Sequence, residues 1–266
     1  MKRKTYKLSN GKEIQQPRSW TIIILLFIIG FTYISVQVTG FKLETLLRNG
    51  HQFFVILGEM LRLNWAYIPK VIDPLLETIQ MSLLGAFLGA FTSLPFSFIA
   101  AKNINKNEIT SGIMKFIYSL MRTVPSLIVA LIATFFFGLG SFAGTVAIFI
   151  YSFSYVGKLT YEAIERADMK AYEALISMGH TNPSAFRYAI IPQIMPNFIS
   201  TTLYNFEGNV RYASILGYVG AGGIGLLINQ NIGWRDYDKV GSILLLLLIT
   251  VLVIEFISEQ IRIRLQ

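Results

Sequence analysis

Two ionisable side chains stand four residues apart in a stretch otherwise apolar enough to lie in a membrane: Glu207 and Arg211, within LYNFEGNVRYASILGYVGAGGIG (203–225). On a helix this spacing puts them on one face, where they can pair. An ion inside a bilayer is costly, and such residues face a protein interior or a water-filled path. The chemistry open to the pair is therefore either a structural ion pair that sets helix packing or a polar lining that meets an anionic solute. Asn205 and Asn209 are expected close to the same face. Arg122, in LMRTVPSLIVALI, is a second such cation. Pro125, followed by Ser126, is expected to kink its helix and free a backbone carbonyl. Arg122 itself either contacts solute or snorkels to the inner interface.

Other chemistries find little support in the residues. The chain has no Cys, which excludes disulfides, thiolate metal sites and a Cys nucleophile. Its two His, His51 and His180, are far apart, so no all-protein transition-metal site is expected. Glu77, Glu207 and Glu255 are scattered, and no nucleophile–base pair suggests a membrane-embedded enzyme. GAGGIG, Gly220 to Gly225, matches the dinucleotide fingerprint G-x-G-x-x-G literally. That fingerprint needs a preceding strand and a following helix. Here a helical run precedes it and a polar outer loop is expected after it. Gly220, Gly222, Gly223 and Gly225 instead suggest close backbone packing or a flexible hinge. No G-x-x-x-x-G-K-[ST] phosphate loop occurs, so any ATP hydrolysis must come from another subunit.

The elements that must position these residues are membrane helices. The chain has 266 residues, 53% hydrophobic and only 14% charged, against about 25% charged in soluble domains. Several apolar runs reach the roughly 20 residues that a span needs. They are continuous rather than alternating, which argues against a lipid-facing barrel. Six spans are expected, at 20–39, 75–100, 113–137, 142–160, 196–219 and 240–260. Residues 1–19 form a basic N-terminus ahead of an uncleaved first span. Segment 40–74 reads as an amphipathic extracytoplasmic helix plus a loop, and Asp73-Pro74 opens the second span. With the N-terminus inside, 15 of the 23 Lys and Arg fall on the inner side and six on the outer, in line with the positive-inside rule. The same rule accounts for the net charge of +8 without nucleic acid as a partner.

One polar segment interrupts the spans on the inner side: EALISMGHTNPSAFRYAIIP, Glu173 to Pro192. Glu173 to Met178 can form a short helix that Gly179 ends as a left-handed C′ residue. Asn182 fits an N-cap and Pro183 an N1 residue of a second short helix, which Pro192 and Pro196 are expected to end. The result is a helix–turn–helix elbow. It is either an ordinary connection or a rigid knob that transmits force to a soluble partner.

The spacing of Glu173, Ala174 and Leu175, then Gly179, then Ala189, Ile191 and Pro192 resembles the cytoplasmic EAA loop of ABC importer permeases. Residues 75 to 264 resemble the phosphonate ABC transporter permeases more closely. The match is carried by ETIQMSLLGAFLGAFTSLPFSFIAAKN (77–103), MRTVPSLIVALI (121–132), GLGSFAGTVAI (138–148), GKLTYEAIE (157–165) and the 203–225 stretch. That family typically reads Leu-Tyr-Arg-Phe-Glu-x-Asn-x-Arg before its Gly-rich run. Asn205 stands here where Arg is common, and Gly208 where an apolar residue is common.

The resemblance implies an all-α membrane protein with six transmembrane helices in the type I ABC importer architecture. It implies a homodimer, two cytoplasmic ABC ATPase subunits that carry the ATP and Mg, and an extracytoplasmic solute-binding protein delivering an anionic phosphorus-containing solute. No cofactor is expected on this chain. The elbow, 161–195, would couple to the ATPase through Glu173, Ala174, Ser177, Met178, Gly179, His180 and Pro192. Arg122, Pro125, Ser126, Glu207, Asn209 and Arg211 would line or gate the path. Two further classes stand beside this reading: an ion-coupled secondary transporter, which has no need of an elbow, and a membrane enzyme acting alone.

Overall fold

A computed structural model of the chain describes residues 5–7, 11, 13–15 and 20–265, and divides into two compact units, Met1–Val55 and Ile56–Gln266. Most of the expected basic N-terminus, including Lys2, Arg3, Lys4, Lys12 and Arg18, lies outside the described residues. Within the first unit β1 (Thr5–Lys7) pairs antiparallel with β2 (Glu13–Gln15). The helix α1 (Thr21–Val38) follows; it is apolar on every side and none of its residues is buried. Such a helix suits a hydrocarbon surround rather than the rim of a soluble core. Next, α2 (Leu43–Leu61) begins within this unit and fills part of the expected amphipathic segment.

The second unit is a helical bundle built on α3 (Ile68–Ala100) and α6 (Ser141–Arg166), whose contact is the most extensive in the molecule. The buried positions of α3 explain why. Ser82, Gly85, Ala86, Gly89, Ala90, Ser93, Ser97 and Ala100 recur at intervals of three and four and form one stripe of small residues. Small stripes let membrane helices approach to backbone distance. A Cβ added at Gly89 would lie 2.7 Å from the Phe149 carbonyl oxygen of α6. A side-chain hydrogen bond crosses the contact, Ser97 Oγ donating to the Gly157 carbonyl at 2.9 Å, and Tyr118, on the helix that follows α3, donates through Oη to the Ser93 carbonyl at 3.0 Å.

The helix boundaries depart from the sequence expectation in five places. The second span begins at Ile68, not at Asp73-Pro74; Pro69 occupies the first turn and Pro74 lies inside the helix. A proline that early removes few intrahelical bonds, and Thr78 Oγ1 engages the Pro74 carbonyl at 2.8 Å. The third span is broken, not kinked: α4 (Glu108–Thr123) and α5 (Ser126–Phe137) meet at 88°. Pro125 lacks an N–H and pushes Val124 into extended geometry, φ −81° and ψ 120°. The fourth helix runs on to Arg166.

Pro192 and Pro196 do not end a helix. They sit inside α9 (Ile191–Leu216), which a π-turn at Phe186–Ile190 joins to the elbow. The wider turn absorbs the carbonyl that a proline ring would otherwise meet. Finally, the polar loop expected after the glycine run is a helix, α10 (Ile224–Trp234), and α11 (Tyr237–Ile263) follows directly. Among the described residues four helices are each long and apolar enough to cross a membrane, and up to six spans result if each bent pair counts once.

Candidate functional site

Elbow. The helix α7 (Lys170–Ser177) ends in a complete Schellman motif: His180 N–H donates to the Leu175 carbonyl at 3.1 Å and Gly179 N–H to Ile176 at 2.9 Å. Gly179 holds φ +93°, the left-handed conformation that spacing alone suggested. The second helix, α8 (Asn182–Ala185), is capped one residue earlier than expected. Thr181 is its N-cap, so Asn182 is already helical and Pro183 follows it. His180 Nδ1 meets Ser184 Oγ at 2.9 Å across the turn. Glu173, Ala174, Ser177, Met178, Gly179 and His180 are all exposed and share this tip, whereas Pro192 sits apart in the first turn of α9.

The inner side of the elbow is locked to the bundle. Tyr172 is buried with Ile104 of the α3–α4 loop, Ile164 of α6 and Ile190 and Ile194 beside it. Burial pushes the Tyr172 phenol above its ordinary pKa, so it stays neutral in this apolar seat. Asn103 donates to the Ile164 carbonyl at 2.8 Å. Gln193 clamps the start of the elbow: its Oε1 accepts from Asp168 N–H at 2.9 Å, and its Nε2 donates to the Asp168 and Ala189 carbonyls at 3.0 and 2.8 Å. Sequence reasoning missed Gln193. An isolated Gln gives no pattern, and only the fold brings it to Asp168. A rigid tip on a clamped base can pass a push from outside the bundle into α9 and α3.

Intramembrane polar residues. Glu207 and Arg211 of α9 do pair, Oε1 to Nη2 at 2.8 Å. Glu207 is buried (side chain 6% exposed) while the Arg211 side chain is 57% exposed, so the carboxylate anchors a guanidinium that faces outward. Asn205 and Asn209 are not on that face. Two residues of offset turn a helix by about 200°. Accordingly Asn209 Nδ2 is buried against α6, donating to Ser152 Oγ and Asn205 Oδ1 at 3.0 Å each. Arg122 closes the last turn of α4, where a cation meets the negative end of the helix dipole. Its guanidinium lies 5.7 Å from the Tyr155 ring centre. Pro125 caps α5, accepting Ile128 N–H at 2.9 Å, and Ser126 opens that helix half-buried.

Glycine turn. Gly220, Gly222 and Gly223 all have positive φ, and they join α9 to α10 in one compact turn. Gly220 O accepts from Gly140 N–H at 2.9 Å, and Ile224 N–H donates to Thr78 Oγ1 of α3 at 2.7 Å. Gly225, in the first turn of α10, packs against Gly217 with no room for a side chain. A helix, not a strand, precedes the run, so the dinucleotide context is missing. Among the described residues no group of three or more His, Asp or Glu is placed to hold a metal ion.

Comparison with known proteins agrees with this architecture. The chain is 30% identical over 236 residues to the phosphite transport system permease protein PtxC of Stutzerimonas stutzeri, covering 88% of this chain and 86% of that one. It is 34% identical over 189 residues to the phosphate-import permease protein PhnE of Mycolicibacterium smegmatis, covering 71% of this chain and 36% of that protein. Its fold is like that of a chain in inward-facing structures of the MetNI methionine ABC transporter. There the TM-score is 0.69 at 22% identity, over 77% of this chain and 100% of that one. A family model also matches residues 93–263, the stretch holding the broken third span, the elbow and the glycine turn, and by that match the chain belongs to the family of binding-protein-dependent transport system inner membrane components.

Proposed function

We propose that this chain is the translocating subunit of an ATP-driven importer of phosphonate or a related phosphorus oxyanion or ester. It would work as a homodimer in a bacterial cell membrane, both termini cytoplasmic, with two ABC ATPase subunits and an extracytoplasmic solute-binding protein. ATP and Mg belong to the ATPase. This chain supplies the path and the handle.

The observation that carries the reading is the elbow. Its exposed, Schellman-capped tip stands on a base fixed by Gln193 and Tyr172, in a chain without a phosphate loop of its own. Closure of the ATPase pair moves the tip, and the clamped base hands that movement to α9 and to the α3–α4 loop. The names of the relatives, phosphite and phosphate transport, favour a phosphorus oxyanion. The outward guanidinium of Arg211, tethered by Glu207, suits a weak and transient anion contact, since conduction requires release. Arg122, Pro125 and Ser126 bound the same path at the broken span, while Asn209 serves it by holding α9 to α6.

Co-purification and uptake test the coupling. Glu173→Ala alters the exposed tip, and Gly179→Pro cannot adopt φ +93°. Both variants are expected to lose the ATPase and the uptake of phosphite. Unchanged co-purification and uptake in both would overturn the assignment of the elbow.

A further inference from the structure

Three tyrosines lie near the two arginines, Tyr151 and Tyr155 on the Arg122 side and Tyr212 adjacent in sequence to Arg211. Arg122 lies over Tyr155, and Tyr155 stacks on Tyr151 one turn away, ring centres 5.7 Å apart at 19°. Tyr151 is within electrostatic range of Arg122 and also of Tyr212 on α9, the residue next to Arg211. Tyr151 and Tyr155 are half-buried and Tyr212 is exposed. None of the three phenolic hydroxyls has a hydrogen-bond partner among the described residues, although Tyr118, one helix away, has two.

An unpaired hydroxyl in hydrocarbon carries a desolvation penalty, and the Arg122 guanidinium over Tyr155 carries more. Surfaces suited to lipid look different in this chain. The open face of α4 is dominated by Ile109, Ile113, Phe116 and Leu120, with Ser119 at its edge. An exposed phenol by itself also occurs on α1, at Tyr33, so it is the guanidinium over Tyr155 that puts this strip on a wetted surface.

We propose, resting on the phosphorus-oxyanion reading above, that Tyr151, Tyr155 and Tyr212 form a ladder of neutral donors that passes the oxyanion between Arg122 and Arg211. A phosphite or phosphonate head offers mainly acceptor oxygens, with a single P–OH donor in the monoanion, and a phenol O–H is a donor that binds more weakly than a free guanidinium. Each flanking cation is already partly satisfied, Arg122 by the Tyr155 ring and Arg211 by Glu207. The strip thus offers several shallow sites instead of one deep one, which favours passage over trapping.

Phenylalanine tests this, because it keeps ring stacking and the cation–aromatic contact and removes only the hydroxyl. The full complex, reconstituted with its ATPase and binding protein in vesicles, is loaded with labelled phosphite. Tyr151→Phe, Tyr155→Phe and Tyr212→Phe are each expected to lower uptake about threefold, and the triple variant more than about tenfold, from the loss of ordinary hydrogen bonds. Size-exclusion profiles establish that the complexes assemble. Wild-type uptake by the triple variant would overturn the ladder. Should the triple variant fail to assemble, wild-type uptake by all three single variants would overturn it equally. A wild-type complex that assembles and hydrolyses ATP yet moves neither phosphite, methylphosphonate nor phosphate refutes the substrate reading itself, and the ladder with it.

Discussion

Removing the Gln193 side chain is the most direct way to ask whether the elbow works as a lever. Its amide makes three hydrogen bonds, two to Asp168 at the start of the elbow and one to Ala189 in the π-turn. These are exposed or half-buried, so each contributes at the low end, about 0.5–1 kcal/mol, and together about 2 kcal/mol. Gln193→Ala should therefore shift the balance between a held and a released elbow roughly 30-fold toward release. Tyr172 stays buried, so the elbow loosens without detaching. Gln193→Glu is a sharper variant. It keeps an acceptor for Asp168 N–H but turns a carboxylate toward the Asp168 and Ala189 carbonyls, and should be at least as damaging.

Two measurements bear on this. Hydrogen exchange over residues 168–178 should speed up in both variants, because local opening sets exchange. The amount of solute moved per ATP hydrolysed should fall, while the ATPase remains associated through the unaltered tip. Unchanged exchange together with unchanged coupling in both variants would refute the lever, and leave the Gln193 contacts as incidental.

Gly89→Val should lower the thermal midpoint of the purified chain, since the new Cβ meets the Phe149 carbonyl and overpacking costs about 1–3 kcal/mol or more. Gly208→Ala, with nothing within 4 Å of its would-be Cβ, is the matched control and should fold normally. Asn209→Ala should destabilise the chain by about 1–2 kcal/mol in a thermal assay, because the buried Ser152 and Asn205 side chains lose a donor. Arg211→Ala should instead reduce phosphite uptake more than dimer assembly; equal loss of both would make the ion pair a packing device. Exchanging the pair, Glu207→Arg with Arg211→Glu, should recover folding but not uptake if the guanidinium meets solute.

Some of this molecule follows from the order of residues alone. The long continuous apolar runs require membrane helices, because an unpaired backbone has no partner in hydrocarbon. The elbow was legible because its signals are local: Gly179 reports a left-handed helix end and Pro183 a helix start, whatever surrounds them. The pairing of Glu207 with Arg211 was legible too, since a helix spaces residues four apart on one face.

Tertiary packing decided the rest. Asn205 and Asn209 looked like neighbours of the ion pair, but which arc of α9 meets α6 depends on all the contacts of the bundle, and that arc buries them. The Pro125 signal promised a bend but not its size; the 88° break depends on where α4 and α5 each find partners. Pro192 and Pro196 promised an end, yet a π-turn and a buried Ile190 and Ile194 kept the helix going. Gln193 and the tyrosine strip show only their local half in sequence, the four-residue spacings of Gln193 to Ala189 and of Tyr155 to Tyr151. Asp168 and Arg122 are distant in the chain, and only folding brings them within reach.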